Sequence, residues 1–362
     1  MILYENNPKI QINSEFVLKK IAKAQPGDHI VILADRESYS NARAFADVAK
    51  NMGCPVFICD VDMYGGNEGY ANIPVMRTLR NAILSADITF MTTPQMKTGF
   101  QTYLGSQKEG DSSLTGKEKR FTFEIGGLME WELDEERIFA DRNRANVLFE
   151  KLKYAKKIHI TSKRGTDLTC VFRGEGGQLP DGMYPVNGII PFYSEVAIVP
   201  ALGTVTGVAV IDGASERAYG QRGFPIRPNI PGYREIYMAP LVLTFENSDL
   251  VSYTGPKAQG ERLDKLMQDV SPKPDICDEI GIVTATSIEN DQYGWCVDGS
   301  HHTRCVHVAL GNNRNRKEII HSTEHIDFDI HEPTIEVDGV TICVDGEYDD
   351  AAIESLYSET NA

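Results

Sequence analysis

Early in the chain, apolar positions with helical spacing alternate with short unbroken apolar runs. Phe16, Val17, Ile21 and Ala22 form a stripe that predicts a helix over about 14–24. Pro26-Gly27-Asp28 is a turn, and His29 to Ala34 reads as a buried strand. Ser38 can cap a second helix that runs to about Met52, with Ala42, Phe45, Ala46 and Ala49 on one face and Gly53 as its stop. A strand at Pro55 to Cys59 follows, then a helix near 74–85, a strand at Ile88 to Met91 and another at Arg120 to Ile125. Strand, helix and strand joined by short loops predict parallel pairing with right-handed crossovers. Residues 1–150 are therefore expected to form a Rossmann-like open α/β domain. The Gly-, Ser-, Lys- and Glu-rich stretch 100–119 is expected to be a long exposed loop. A charged helix over about Asp134 to Ala155 is expected to join two domains.

After residue 155 the pattern changes. Short β runs separated by Gly and Pro take over: Lys157 to Thr161, Leu168 to Phe172, Glu195 to Val199, Val205 to Ile211, Glu235 to Met238, Leu241 to Phe245 and Val340 to Val344. Glu332 to Gly339 reads as a hairpin, and a last helix spans about Asp349 to Ser358. Residues 151–362 are expected to form a mainly antiparallel, β-rich domain.

Composition narrows the function. A chain of 362 residues exceeds one typical core, which fits two domains. The formal net charge of -16 disfavours nucleic acid and anionic membranes as partners. No stretch approaches the roughly 18 apolar residues of a membrane span. The first eight residues lack the charged and apolar regions of a signal peptide, so a cytoplasmic location is expected. The seven cysteines include no C-x-x-C pair, which predicts reduced, mostly buried thiols. The first strand leads into Asp35-Arg36-Glu37-Ser38 and not into a glycine-rich turn. Two carboxylates there would repel a phosphate, which argues against dinucleotide binding.

Candidate chemistry concentrates near the C-terminus. Six of the eight histidines, His301, His302, His307, His321, His325 and His331, fall within 301–331 beside Asp327 and Asp329. His325-Ile326-Asp327-Phe328-Asp329-Ile330 alternates strictly, so a strand would set His325, Asp327 and Asp329 on one face and the apolar residues on the other. Imidazole beside carboxylate is a ligand set for zinc, iron or manganese. The alternative is a group of surface histidines next to one held in the core. His307 lies inside a second apolar run, Cys305 to Leu310. Glu195 and Glu279 each open an apolar run, a costly place for a carboxylate unless it is paired or ligating.

Four ordered motifs carry a resemblance. Glu279-Ile-Gly-Ile, His307-Val-Ala-Leu-Gly-Asn-Asn, His325-Ile-Asp327, and Pro333-Thr334 with Asp338-Gly339 resemble the C-terminal half of the aminopeptidase T family, the thermophilic-type metalloaminopeptidases often labelled leucyl aminopeptidase. Ser194-Glu195-Val-Ala-Ile-Val-Pro with Gly207 resembles that family's G-E-V-x-x-x-P…G segment. The resemblance implies a hydrolase with two divalent ions (zinc, cobalt or manganese). Glu279, His307, His325 and Asp327 would be the metal ligands, and Glu195 and Glu279 the catalytic carboxylates. It also implies a homodimer acting on a small molecule or short peptide. Those aminopeptidases carry a tyrosine seven residues after the histidine that His307 matches; here Arg314 stands there, suited to gripping a substrate carboxylate. The same superfamily includes 2,5-dihydroxypyridine 5,6-dioxygenase, an Fe(II) ring-cleaving enzyme. His325 and Asp327 match its H-x-D pair, while Glu279 stands where it has its other histidine. The readings are thus a metal-dependent hydrolase of an amide or related C–N bond, an iron dioxygenase, and a binding protein that keeps the fold without the chemistry.

Overall fold

A computed structural model describes residues 8–34, 39–60, 78, 81–83, 85–91, 120–121, 133–172, 194–211, 240–286, 304–312 and 321–357. The chain divides into two compact units, and among the described residues the first ends at Leu133 and the second starts at Asp134.

The first unit opens with helix α1 (Pro8–Phe16), which continues as a π-helical turn over Val17–Ile21. The expected stripe residues Val17, Ile21 and Ala22 are buried, but the helix starts earlier than 14, at a proline that suits a first helical turn. Strand β1 (Ile30–Ala34), helix α2 (Tyr39–Asn51), and strands β2 (Val56–Asp60), β3 (Ile88–Met91) and β4 (Arg120–Phe121) follow. The strands form a parallel sheet in the order β2-β1-β3-β4. The stripe Ala42, Phe45, Ala46 and Ala49 on α2 is buried, and Phe45 meets Phe90 edge to face at 4.5 Å. Gly53, at φ +84°, stops α2: its N–H donates to Lys50 and that of Cys54 to Ala49, a Schellman closure. The expected helix at 74–85 and loop at 100–119 lie largely or wholly outside the described residues, as do 122–132.

The second unit begins ahead of the expected boundary at 150/151, because helix α3 (Glu135–Leu152) belongs to its core. Asp134 caps α3 by accepting from the Arg137 N–H at 3.1 Å, and Ala145, Leu148 and Leu152 are fully buried. Strands β5 (Ile158–Thr161), β6 (Asp167–Cys170), β7 (Glu195–Ile198), β8 (Thr206–Ile211), β9 (Leu241–Glu246) and β10 (Asp249–Thr254) come next. Helix α4 (Lys257–Asp269) precedes β11 (Cys277–Val283), β12 (Cys305–Asn312), β13 (His321–His331), β14 (Thr334–Val337), β15 (Val340–Val344), β16 (Glu347–Tyr348) and helix α5 (Asp350–Ser355).

Two antiparallel sheets result. One has eight strands in the order β10-β9-β8-β6-β5-β14-β15-β16, the other four in the order β13-β12-β11-β7. Their apolar faces, with α3 and α4, enclose one core that includes Ile160, Leu168, Leu243, Phe245, Leu263, Ile280, Val308, Phe328 and Ile335. The expected hairpin is β14–β15. Asp338 and Gly339 both take positive φ at its tip, the conformation that two-residue hairpin turns require. The run Glu235 to Met238 lies outside the described residues. The six described cysteines are buried and unbridged. No described helix is long and apolar enough to cross a membrane.

Candidate metal centre

The four-stranded sheet sorts its side chains by alternation. Val196, Ile198, Ile280, Ile282, Val306, Val308, Leu310, Ile326, Phe328 and Ile330 all enter the core. Each such burial contributes roughly 1.5–3 kcal/mol. A one-residue slip would expose a whole strand's set, so the register is firmly held. The intervening positions therefore share the opposite face: Glu195 and Ala197 on β7, Glu279 and Gly281 on β11, His307, Ala309 and Gly311 on β12, Asp327 and Asp329 on β13.

Pairing brings these residues into rows. Gly281 lies between Ala197 and His307, and His307 is in turn opposite Asp329. Ala309 lies between Glu279 and Asp327, and Glu195 is opposite Val283. A bulge on β11 precedes these rows. Cys277 pairs with Leu310 and Glu279 with Ala309, leaving Asp278 as the extra residue. Without it, Cys277 and Glu279 would point the same way. With it, Cys277 enters the core and Glu279 faces away.

Glu195, Glu279 and His307 converge, each offering a donor atom within 4.8 Å of the others. His307 Nε2 is 3.1 Å from Glu195 Oε1 and 3.6 Å from Glu279 Oε1. The side chains of His307, Glu195 and Glu279 are only 3%, 6% and 2% exposed. Gly281 makes the approach possible: a Cβ there would stand 1.9 Å from His307 Cε1 and 2.0 Å from Glu195 Oε1. The donor set fits a divalent cation. With metal–ligand bonds of about 2.0–2.2 Å, adjacent donors lie about 3.0–3.5 Å apart, close to the spacings observed. Two buried carboxylates repel one another, and a cation between them removes that cost. Asp327 and Asp329 add two more buried acids to this face.

Glu195, Glu279 and His307 are brought together, and Asp327 lies on the same face. His325 sits in β13 opposite Gly311, but its side chain lies outside the described residues, as does Arg314 entirely. His301 and His302 also lie outside, and His331 is half-buried opposite Cys305. The described donors are thus richer in carboxylate than the histidine count suggested. Gly207, by contrast, is remote from this face. It pairs with Leu168 in the eight-stranded sheet at φ +126°, where a Cβ would lie 2.1 Å from the Asp167 carbonyl oxygen. Gly281 itself was missed; a glycine inside an apolar strand, two residues after an acid, was the available signal.

The fold recurs in solved structures. The structure matches 2,5-dihydroxypyridine dioxygenase from Pseudomonas putida KT2440 with a TM-score of 0.62 and 13% identity, over 97% of this chain and 99% of that one. It matches wild-type AmpT from Thermus thermophilus with a TM-score of 0.66 and 14% identity, over 95% of this chain and 100% of that one. The chain therefore shares its fold with these two proteins along nearly its whole length. No protein-family model matches the sequence, and no curated protein matches it.

Proposed function

We propose that the protein is a metal-dependent hydrolase of an amide or related C–N bond in a small molecule or short peptide. The buried convergence of Glu195, Glu279 and His307 supports this reading, because two carboxylates and one imidazole suit zinc, cobalt or manganese. Glu279, His307, His325 and Asp327 would hold the metal. A bound divalent cation polarises a carbonyl and lowers the pKa of water toward neutrality. Glu195 or Glu279 takes a proton from the attacking water and passes it to the leaving nitrogen as the C–N bond breaks. Arg314 would grip a substrate carboxylate. The reading includes a Rossmann-like layer in the first unit, a β-rich catalytic domain in the second, a homodimer and a cytoplasmic location.

A second reading is an Fe(II) ring-cleaving dioxygenase. It draws on the His325-x-Asp327 pair, on the strand next to the one that carries His307, and on the fold shared with 2,5-dihydroxypyridine dioxygenase. Assays of the zinc-, cobalt-, manganese- and iron-loaded protein separate the two. Amine release from a panel of aminoacyl amides supports the hydrolase. Oxygen uptake with hydroxypyridines, seen only with iron, overturns it in favour of the dioxygenase.

A further inference from the structure

We infer that Asp141 and Arg144 are positioning residues for Glu195, acting through the joined ends of β7 and β11. The inference rests on the metal-centre reading above. Among the described residues, β7 stands at the edge of its sheet and pairs with β11 alone, and Glu195 is its first residue. A strand end held by one ladder frays unless something else fixes it. Here the fixture is a buried polar clamp on α3, where Arg137, Asp141 and Arg144 share one face.

The Asp141 carboxylate accepts from the Thr286 N–H at 2.7 Å, the Thr286 hydroxyl at 2.6 Å and Arg144 Nη1 at 2.7 Å. The Arg137 Nε–H also donates to the Thr286 hydroxyl at 3.1 Å. Arg144 Nη1 donates to the Thr284 carbonyl at 3.0 Å. The rest of the guanidinium forks onto Asp350 at 2.6 and 3.0 Å and lies over the Tyr348 ring. Tyr348 in turn donates its hydroxyl to the Val283 carbonyl at 2.8 Å. The segment that follows β11 is therefore held at Val283, Thr284 and Thr286. The Thr284 and Ala285 N–H groups both donate to the Ser194 carbonyl, at 3.0 and 3.3 Å, and the Thr284 and Ser194 hydroxyls are 3.0 Å apart. Ser194 precedes Glu195, and Val283 pairs with it, so the clamp grips the carboxylate's neighbours on both strands. Burial opposes the Arg144 charge, but Asp350 and Asp141 outweigh it and raise the guanidinium pKa.

The test titrates Co(II) into the full-length chain and its Asp141→Asn, Arg144→Lys and Leu266→Ala variants, following affinity and the visible cobalt spectrum. Leu266 lies in the core on α4 and serves as a control for lost stability. Asp141→Asn and Arg144→Lys are expected to bind cobalt about 10–100-fold more weakly, with an altered spectrum. Leu266→Ala should lower the melting temperature and leave affinity and spectrum unchanged. If Asp141→Asn does not fold, Arg144→Lys, which keeps the charge but loses the fork, carries the comparison. Wild-type affinity and spectrum in the clamp variants would overturn the inference alone, as would equal weakening in Leu266→Ala. No cobalt uptake by the wild type would overturn the metal reading and this inference together.

Discussion

Replacing Gly281 by alanine isolates the convergence of the site. The added methyl would lie 1.9 Å from His307 Cε1, 2.2 Å from His307 Nε2 and 2.0 Å from Glu195 Oε1. Ordinary contact begins near 3.4 Å, so His307 and Glu195 would each have to retreat by about 1.4–1.5 Å. Gly281 is not in the left-handed region, so the effect is contact and not backbone strain. Overpacking of this kind costs about 1–3 kcal/mol, or about 2–4 °C in Tm for each kcal/mol in a unit of this size. The functional loss should be larger. A displacement of about 1 Å at a reacting group costs about 100-fold in rate, and both donors move. Gly207→Ala is the matching control: its methyl meets the Asp167 carbonyl oxygen at 2.1 Å, in the other sheet, so it should lower Tm and leave metal affinity alone. Calorimetric metal titration and thermal unfolding of both variants decide the matter. Gly281→Ala with wild-type metal affinity would refute the reasoning.

Other outcomes follow from the same structure. His307→Ala should abolish metal uptake and activity, checked by elemental analysis and amide hydrolysis. Burial pushes the Cys170 and Cys343 thiols up to about 12, so both should resist iodoacetamide at pH 8 in the native protein and react once it is denatured, read by mass spectrometry. Burial opposes the Asp338 charge, but the Tyr357 hydroxyl and the Lys156 and Lys157 N–H groups outweigh it and hold the carboxyl below its ordinary value. Its stabilisation is present above the unfolded-state pKa and is lost as pH falls through the lower folded value. The Tm difference between wild type and Asp338→Asn should therefore shrink on going from pH 6 to pH 2.

The strands of the site were legible because their alternation is strict. Ile326, Phe328 and Ile330 enter the core as the pattern required, and the acids between them take the other face. Helix α4 left a readable trace as well, in Leu263, Leu266 and Val270, but it went unread beside its charged neighbours. What alternation cannot carry is the phase of one strand against another. The bulge at Asp278 turns Cys277 into the core while Glu279 faces away, and it exists only once β11 meets β12. The clamp was beyond local reading for the same reason: Asp141 and Thr286 are 145 residues apart. Counting histidines pointed to residues 301–331, from which His307 joins the described donors. It understated the carboxylates, because Glu195 and Glu279 join His307 only through strand pairing.

The most direct measurement is the metal content of protein purified without chelator or histidine tag, set beside that of a Glu279→Gln/His307→Ala double variant. The account predicts at least one stoichiometric divalent ion per wild-type chain, with two supporting the two-metal hydrolase, and none retained by the double variant. A wild type that holds no metal even after reconstitution, or a double variant that keeps the full complement, would contradict it.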